Sequence, residues 1–141
     1  MPVQGSVIGS FHRAYPVMLE AIAVFNSFGI KINSPVVSEI RDKGAEFVRF
    51  VVDPEESSDV ELQERALKKI LASDFIYVMA PNGYIGRATC YELGSATACG
   101  IPVYYSDHPK DLAIHIPPAG IMQPTELAKL LLERVNIGRP R

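Results

Sequence analysis

Phe75-Ile76-Tyr77-Val78-Met79-Ala80, followed at once by Pro81-Asn82-Gly83-Tyr84-Ile85-Gly86-Arg87, is the stretch that decides the architecture. Its first six residues are apolar without interruption, and they include aromatic and β-branched side chains. Such a run suits a central strand covered on both faces, as in a parallel sheet. The glycine-bearing loop Pro81 to Arg87 then leads into a helix over about Ala88 to Cys99, stopped at Gly100. Pro102 to Tyr105 follows as the next strand. Strand, loop, helix and strand in this order make a βαβ unit.

The same alternation extends to both sides. Val3 to Gly9 reads as a first strand, and Ala14 to Phe28 reads as a helix with Pro16 in its first turn. Val17, Ala21, Val24, Phe25 and Phe28 recur at helical spacing and predict its buried stripe. Gly29 suits a helix stop, and Ile30 to Asn33 is a short second strand closed by Pro35. Val36 to Asp53 is the least legible region, with a strand-like run from Phe47 to Val52. Pro54 to Ser58 is turn-like. Ser58 and Glu61 fit a capping box for a helix to about Ala72, whose buried side is Leu62, Ala66, Leu67 and Ile70. After Tyr105, a short strand is expected near Ile121 and a closing amphipathic helix over Thr125 to Asn136.

The bulk properties set the class. The chain has 141 residues, 48% apolar and 21% charged, which fits one folded domain over 1–141. A net charge of −2 with no basic run argues against a nucleic-acid polymer as partner. Cys90 and Cys99 have neither the density of a disulfide framework nor metal-ligand spacing, so they read as reduced thiols. No metal-binding pattern of His, Cys and acids appears, and no metal or other cofactor is expected. No charged segment followed by an apolar one opens the chain, and no apolar run reaches bilayer length. The expectation is a cytosolic protein without membrane contact.

In an open parallel sheet, ligands bind beyond the carboxyl ends of the strands. Three segments leave those ends: Gly9 to Arg13, Pro81 to Arg87, and Ser106 to Pro109. Ser10, His12 and Arg13 suit phosphate, Arg13 through its bidentate fork. Gly83, Gly86 and Arg87 suit a second phosphate cradle, and Tyr84 suits stacking on a base or sugar. Asp107 and His108 lie at the edge where a base would be recognised. His115 suits packing or a subunit contact, and Asp74 suits a turn. Glu92, early in its helix, points toward the crevice. As an alternative, Thr89-Cys90-Tyr91-Glu92 fits a capping box, in which Glu92 serves only the helix start. No G-x-S-x-G elbow, dinucleotide fingerprint or P-loop occurs.

Gly9-Ser10, Ser73-Asp74, and Glu92-Leu93-Gly94-Ser95-Ala96 followed by Gly100-Ile101-Pro102 resemble, in order and spacing, the nucleoside 2-deoxyribosyltransferase superfamily. That superfamily includes 2′-deoxynucleoside 5′-monophosphate N-glycosidases. The resemblance covers roughly Val3 to Tyr105. It implies a flavodoxin-like (Rossmann-like) α/β sandwich of three layers around a parallel sheet. It also implies Glu92 as the nucleophile at the anomeric carbon; the strand-end loops place Gly9, Ser10, His12, Arg13, Gly83, Tyr84, Gly86 and Arg87 around the substrate. The partner would be a small nucleoside or nucleotide, and the assembly a homo-oligomer. Tyr104, Tyr105, Ile114 and Ile116 are candidates for its interface or, alternatively, ordinary core. The chain departs from the family pattern at three places. Ala66 stands where an aspartate is usual, with Glu64 the nearest candidate second acid. Ser6 replaces a first-strand tyrosine, and Gly86 stands near the position of a base-side acid. The missing aspartate and tyrosine leave one alternative, a non-catalytic nucleotide-binding module; the glycine loop before a helix glutamate, which looks similar in phosphoribohydrolase-like enzymes acting on ribonucleotides, leaves a second.

Overall fold

A computed structural model describes residues 3–35, 58–110 and 112–137. The strand expected over Phe47 to Val52, the rest of Val36 to Asp53, and most of the turn from Pro54 lie outside the described residues.

Among the described residues, four strands form one all-parallel sheet: β1 (Gln4–Gly9), β2 (Lys31–Ser34), β3 (Phe75–Met79) and β4 (Val103–Tyr105). Their spatial order is β2-β1-β3-β4. Ile121 adds a single parallel bridge beside Tyr105, so the expected strand there is one residue long. Four helices cover the sheet: α1 (Phe11–Ser27), α2 (Asp59–Leu71), α3 (Arg87–Ala98) and α4 (Pro124–Ile137).

The reading of the central strand holds. All five residues of β3 are buried, and alternate side chains enter two separate cores. Phe75, Tyr77 and Met79 face α1 and α4. There the Phe25 ring lies 5.4 Å from Phe75 and 5.6 Å from Tyr77, centroid to centroid. Ile76 and Val78 face α2 and α3, against Ile70, Leu93 and Ala96. The result is a three-layer, flavodoxin-like α/β sandwich.

Helix α1 differs from its sequence reading in two ways. It begins at Phe11 rather than Ala14, because the Ser10 carbonyl accepts the Ala14 N–H at 2.7 Å and closes the first turn earlier. Pro16 therefore lies inside the helix, where it cannot donate to the His12 carbonyl. Both residues are exposed, so water can satisfy that carbonyl. The buried stripe is Ala14, Met18, Ala21, Ile22 and Phe25, one position away from the expected Val17. The cause lies in β1: a Cβ on Gly9 would sit 3.3 Å from Met18 Sδ and 2.9 Å from the Met79 carbonyl. Gly9 thus admits Met18 and the β1–β3 contact together.

The helix punctuation agrees with the sequence elsewhere. Gly29 N–H bonds to the Asn26 carbonyl and Ile30 N–H to that of Phe25, the paired bonds of a Schellman stop. Ser58 caps α2 by accepting the Glu61 N–H at 3.1 Å. Asp74 proves to be a positional residue. Its carboxylate accepts the Gln4 N–H at 3.0 Å at the start of the β1–β3 pair, the edge opposite the crevice. Under α2, Ser6 and Ser73 hydroxyls lie 2.8 Å apart and are buried. Ser73 donates to the Lys69 carbonyl, so Ser6 and the Asn33 amide donate to Ser73.

Candidate functional site

The strand order reverses between β1 and β3: the chain passes from β1 outward to β2, then returns to β3 on the other side of β1. This switch places a crevice at the carboxyl ends of β1 and β3. Ser10 leaves one end and the Pro81 to Gly86 loop leaves the other. The two segments meet there, since a Cβ built on Gly86 would lie 3.9 Å from Ser10 Cβ and 3.8 Å from Tyr84 Oη. Arg13 closes the group from α1, its guanidinium carbon 4.0 Å from the centre of the Tyr84 ring. The structure thus brings together Ser10, Arg13, Tyr84 and Gly86.

The two helices that start at this crevice begin in the same manner. Ser10 precedes α1 and Gly86 precedes α3, and neither makes a side-chain cap bond. Neither helix has an acid in its first turn. α2, in contrast, has the Ser58 cap and carries Asp59 and Glu61 in its first turn. The positive ends of the α1 and α3 dipoles therefore meet no carboxylate of their own first turns. Arg13 and Arg87 add positive charge in those same turns, both exposed, as is His12.

Other expected positions play different parts. Gly9 is buried between β3 and Met18, so it shapes the strand end rather than facing the crevice. Gly83 is also buried, and its N–H already bonds to the Ala80 carbonyl at 2.7 Å. That amide is not available to cradle an anion. Gly83 instead holds the loop: its φ is +82°, a Cβ there would meet the His108 carbonyl at 2.8 Å, and its own carbonyl accepts the Lys110 N–H. Asn82, exposed beside it, takes the left-handed φ of 57°. Of the two readings for Tyr104, Tyr105 and Ile116, interface or ordinary core, the structure gives the core within this chain, and the Tyr104 hydroxyl accepts from Arg134 at 2.6 Å. Ile114 and His115 are exposed. His108 is exposed too, with its Nδ1 2.9 Å from the Pro109 carbonyl.

Glu92 lies in the second turn of α3, five residues after Arg87. The capping-box alternative fails on geometry. Gly86 is the residue before the helix, so Thr89 is already inside it, buried at 2% exposure. Glu92 is consequently too far along the helix to serve its first N–H groups. Its carboxylate oxygen Oε2 accepts from the Gln63 amide at 3.2 Å, across the contact of α2 with α3. Burial pushes the carboxyl up to about 7, and the Gln63 hydrogen bond pulls against that rise. Glu64, the candidate second acid, is exposed, and Gln63 is the α2 residue that meets Glu92.

Gln63 escapes the sequence reading altogether, and Ser106 is reached by it only as part of the loop after β4. Gln63 carries no motif, and only the packing of α2 on α3 reveals it. Ser106 donates to Asp107 at 3.1 Å and accepts the Ala80 N–H at 2.9 Å, tying the end of β3 to the loop after β4. Its place directly after a strand was the available signal. Among the described residues, no three His, Cys, Asp or Glu side chains group as a metal site would need. No helix among them is long and apolar enough to cross a membrane.

Fold and crevice together define a flavodoxin-like α/β domain whose switch point gathers Ser10, Arg13, Tyr84 and Gly86, with a partly buried carboxyl, Glu92, in the second turn of α3. No protein-family model, curated protein or solved structure matches the chain.

Proposed function

We propose that this protein cleaves, or transfers at, the N-glycosidic bond of a (deoxy)nucleoside or nucleoside 5′-monophosphate, with Glu92 as nucleophile. The observation that carries the reading is Glu92 itself, a carboxyl set in the second turn of α3, raised to about 7 by burial and excluded from helix capping. Ionisation near neutrality combined with poor hydration suits a carboxylate that must attack carbon. In the first step a Glu92 oxygen bonds to C1′ of the sugar as the C1′–N bond breaks. The electron pair of that bond leaves with the base nitrogen, which takes a proton from solvent. Water then attacks C1′ and gives its proton to solvent, and the C1′–O bond to Glu92 breaks. A second base in place of water gives transfer.

The starts of α1 and α3, where neither Ser10 nor Gly86 makes a side-chain cap bond, with Arg13 and Arg87 in their first turns, support an anionic 5′-phosphate as the part of the substrate held at the crevice. Ser10 and Gly86 border the same space, and Tyr84 offers a ring face for the sugar or base. The reading has the protein act in the cytosol, as a homo-oligomer, on a small nucleotide, with no metal or other cofactor.

One observation favours a second reading, a nucleotide-binding module without catalysis: the group that meets Glu92 is an amide, not another acid. Chromatography of free base from a panel of nucleosides and 5′-monophosphates, in both deoxyribose and ribose forms, separates the two. Base release from any member supports the enzyme, and the sugar preferred tells a deoxyribosyl from a ribosyl substrate. Thermal stabilisation by a panel member with no base released supports the binding module and overturns the enzyme.

A further inference from the structure

We infer that Gln63 is the positioning residue of this site: it fixes one oxygen of Glu92 across the α2–α3 contact and leaves the other to meet the substrate. The inference rests on the glycosidic reading of Glu92. Its geometric basis is the 3.2 Å hydrogen bond from Gln63 Nε2 to Glu92 Oε2, between two partly buried side chains in the second turns of neighbouring helices. Among the described residues, Gln63 is the hydrogen-bond partner that Glu92 has.

The amide suits the task because it is neutral. A lysine or arginine there would hold the carboxylate too strongly and draw its titration far down. A second carboxylate would share a proton with Glu92 and split the titration in two steps. The amide donates one hydrogen bond to one oxygen, which selects a rotamer and moderates the effect of burial. The second lone-pair-bearing oxygen, Oε1, is then oriented as the attacking atom.

Among the described residues, the surroundings leave this control to Gln63. Of the elements packed against α3, β1 carries no ionisable side chain, and β4 carries Tyr104 and Tyr105. Tyr105, on the α3 side, is neutral, because burial pushes its phenol up. On α2, Asp59, Glu61, Glu64, Arg65, Lys68 and Lys69 are exposed. On α3 itself, Arg87 and Tyr91 are exposed and Cys90 is partly buried. The influences on Glu92 are burial and Gln63.

The test is Gln63→Met, which keeps length and volume and removes the donor, with Gln63→Asn as a second variant that keeps an amide but falls short of Glu92. Carbon-13 NMR of labelled glutamate gives the Glu92 titration in the unliganded protein, whatever the activity. Both variants are expected to raise the Glu92 midpoint above that of the wild type. With the panel member that releases most base, kcat should fall about ten- to hundredfold with KM nearly unchanged. The acid limb of the kcat–pH profile should move to higher pH together with the NMR midpoint, since the nucleophile is the ionised form. An unchanged Glu92 midpoint in a folded Gln63→Met or Gln63→Asn protein overturns the inference. A wild type that releases no base overturns the glycosidic reading instead, and the NMR shift still decides whether Gln63 controls Glu92.

Discussion

The Arg13 guanidinium lies on the face of the Tyr84 ring, 4.0 Å from its centre, and joins the first turn of α1 to the loop that leaves β3. The contact spans the switch in strand order. It holds a fork-shaped cation at a helix start where Ser10 makes no side-chain cap bond, an arrangement whose chemistry suits an anion.

Arg13→Ala should therefore affect ligand binding more than folding. An exposed cation–π pair contributes about 0.5–1 kcal/mol, so the free protein loses little. Thermal stabilisation by a 5′-monophosphate should largely disappear, and that by the matching nucleoside should persist. Arg13→Lys should recover only part, because a lysine offers a point charge in place of two parallel donors. Melting curves with each ligand at low and high salt check this. Equal loss for nucleoside and monophosphate would speak against a phosphate at Arg13.

Gly83 and Gly86 should separate stability from binding. Gly83→Ala places a Cβ at a φ of +82° and 2.8 Å from the His108 carbonyl, which should cost about 1–3 kcal/mol in urea unfolding. Gly86→Ala meets only ordinary contacts, 3.8 Å from Tyr84 Oη and 3.9 Å from Ser10 Cβ, and should cost only about 0.5–1 kcal/mol, the preference for glycine over alanine at a helix N-cap. Its methyl group nevertheless fills the gap between Ser10 and Tyr84, so nucleotide affinity should drop. Calorimetric titration beside urea unfolding reads both effects.

The buried serine pair should respond asymmetrically. Ser73→Ala removes the acceptor for both Ser6 and Asn33 and the donor to the Lys69 carbonyl, which should cost about 1–3 kcal/mol. Ser6→Ala removes one donor and leaves Ser73 with Asn33 and Lys69, at a cost of about 1 kcal/mol. Denaturant midpoints of the two variants, measured side by side, test the assigned direction of the hydrogen bonds.

Glu92 should make stability depend on pH in a definite direction. Its carboxyl is raised from an ordinary 4.5 to about 7 in the folded protein. Between those values the folded state keeps a proton that the unfolded chain has released. This contribution to stability therefore falls as pH rises through that window, and its cost is complete above about 7. Glu92→Gln removes the titration. It should stabilise the protein by about 2–3 kcal/mol at pH near 8 and have little effect near pH 4. Urea unfolding at several pH values measures the difference, and a constant difference across the range would contradict a buried, titrating Glu92.

Much of this arrangement was legible because it is local or periodic. The apolar run of β3 requires two covered faces, and the structure gives it two cores. Ser58 and Gly29 announce a helix start and a helix stop through their own backbone chemistry. What was not legible depends on contacts between distant segments. Val17 and Met18 are both apolar, and the space above Gly9 decides which is buried. Gly86 starts α3 without any capping side chain, so Thr89 looked like the cap. Gly83 has the sequence of a phosphate-binding glycine, but the Lys110 segment lies across it. Gln63 reaches Glu92 only because α2 and α3 pack together. The three-layer architecture was readable before the strand order, since periodicity reports which faces are buried and not which strands are neighbours.

The most direct test of the central claim is the rate of free-base release by wild type and by Glu92→Gln, a variant of nearly the same shape that cannot form a glycosyl ester through a carboxylate. The account predicts measurable release by the wild type from at least one nucleoside or 5′-monophosphate. It predicts a loss of at least about a thousandfold in the variant, which should remain folded and still be stabilised by the same ligand. Release by a folded Glu92→Gln protein at a rate close to that of the wild type would contradict it.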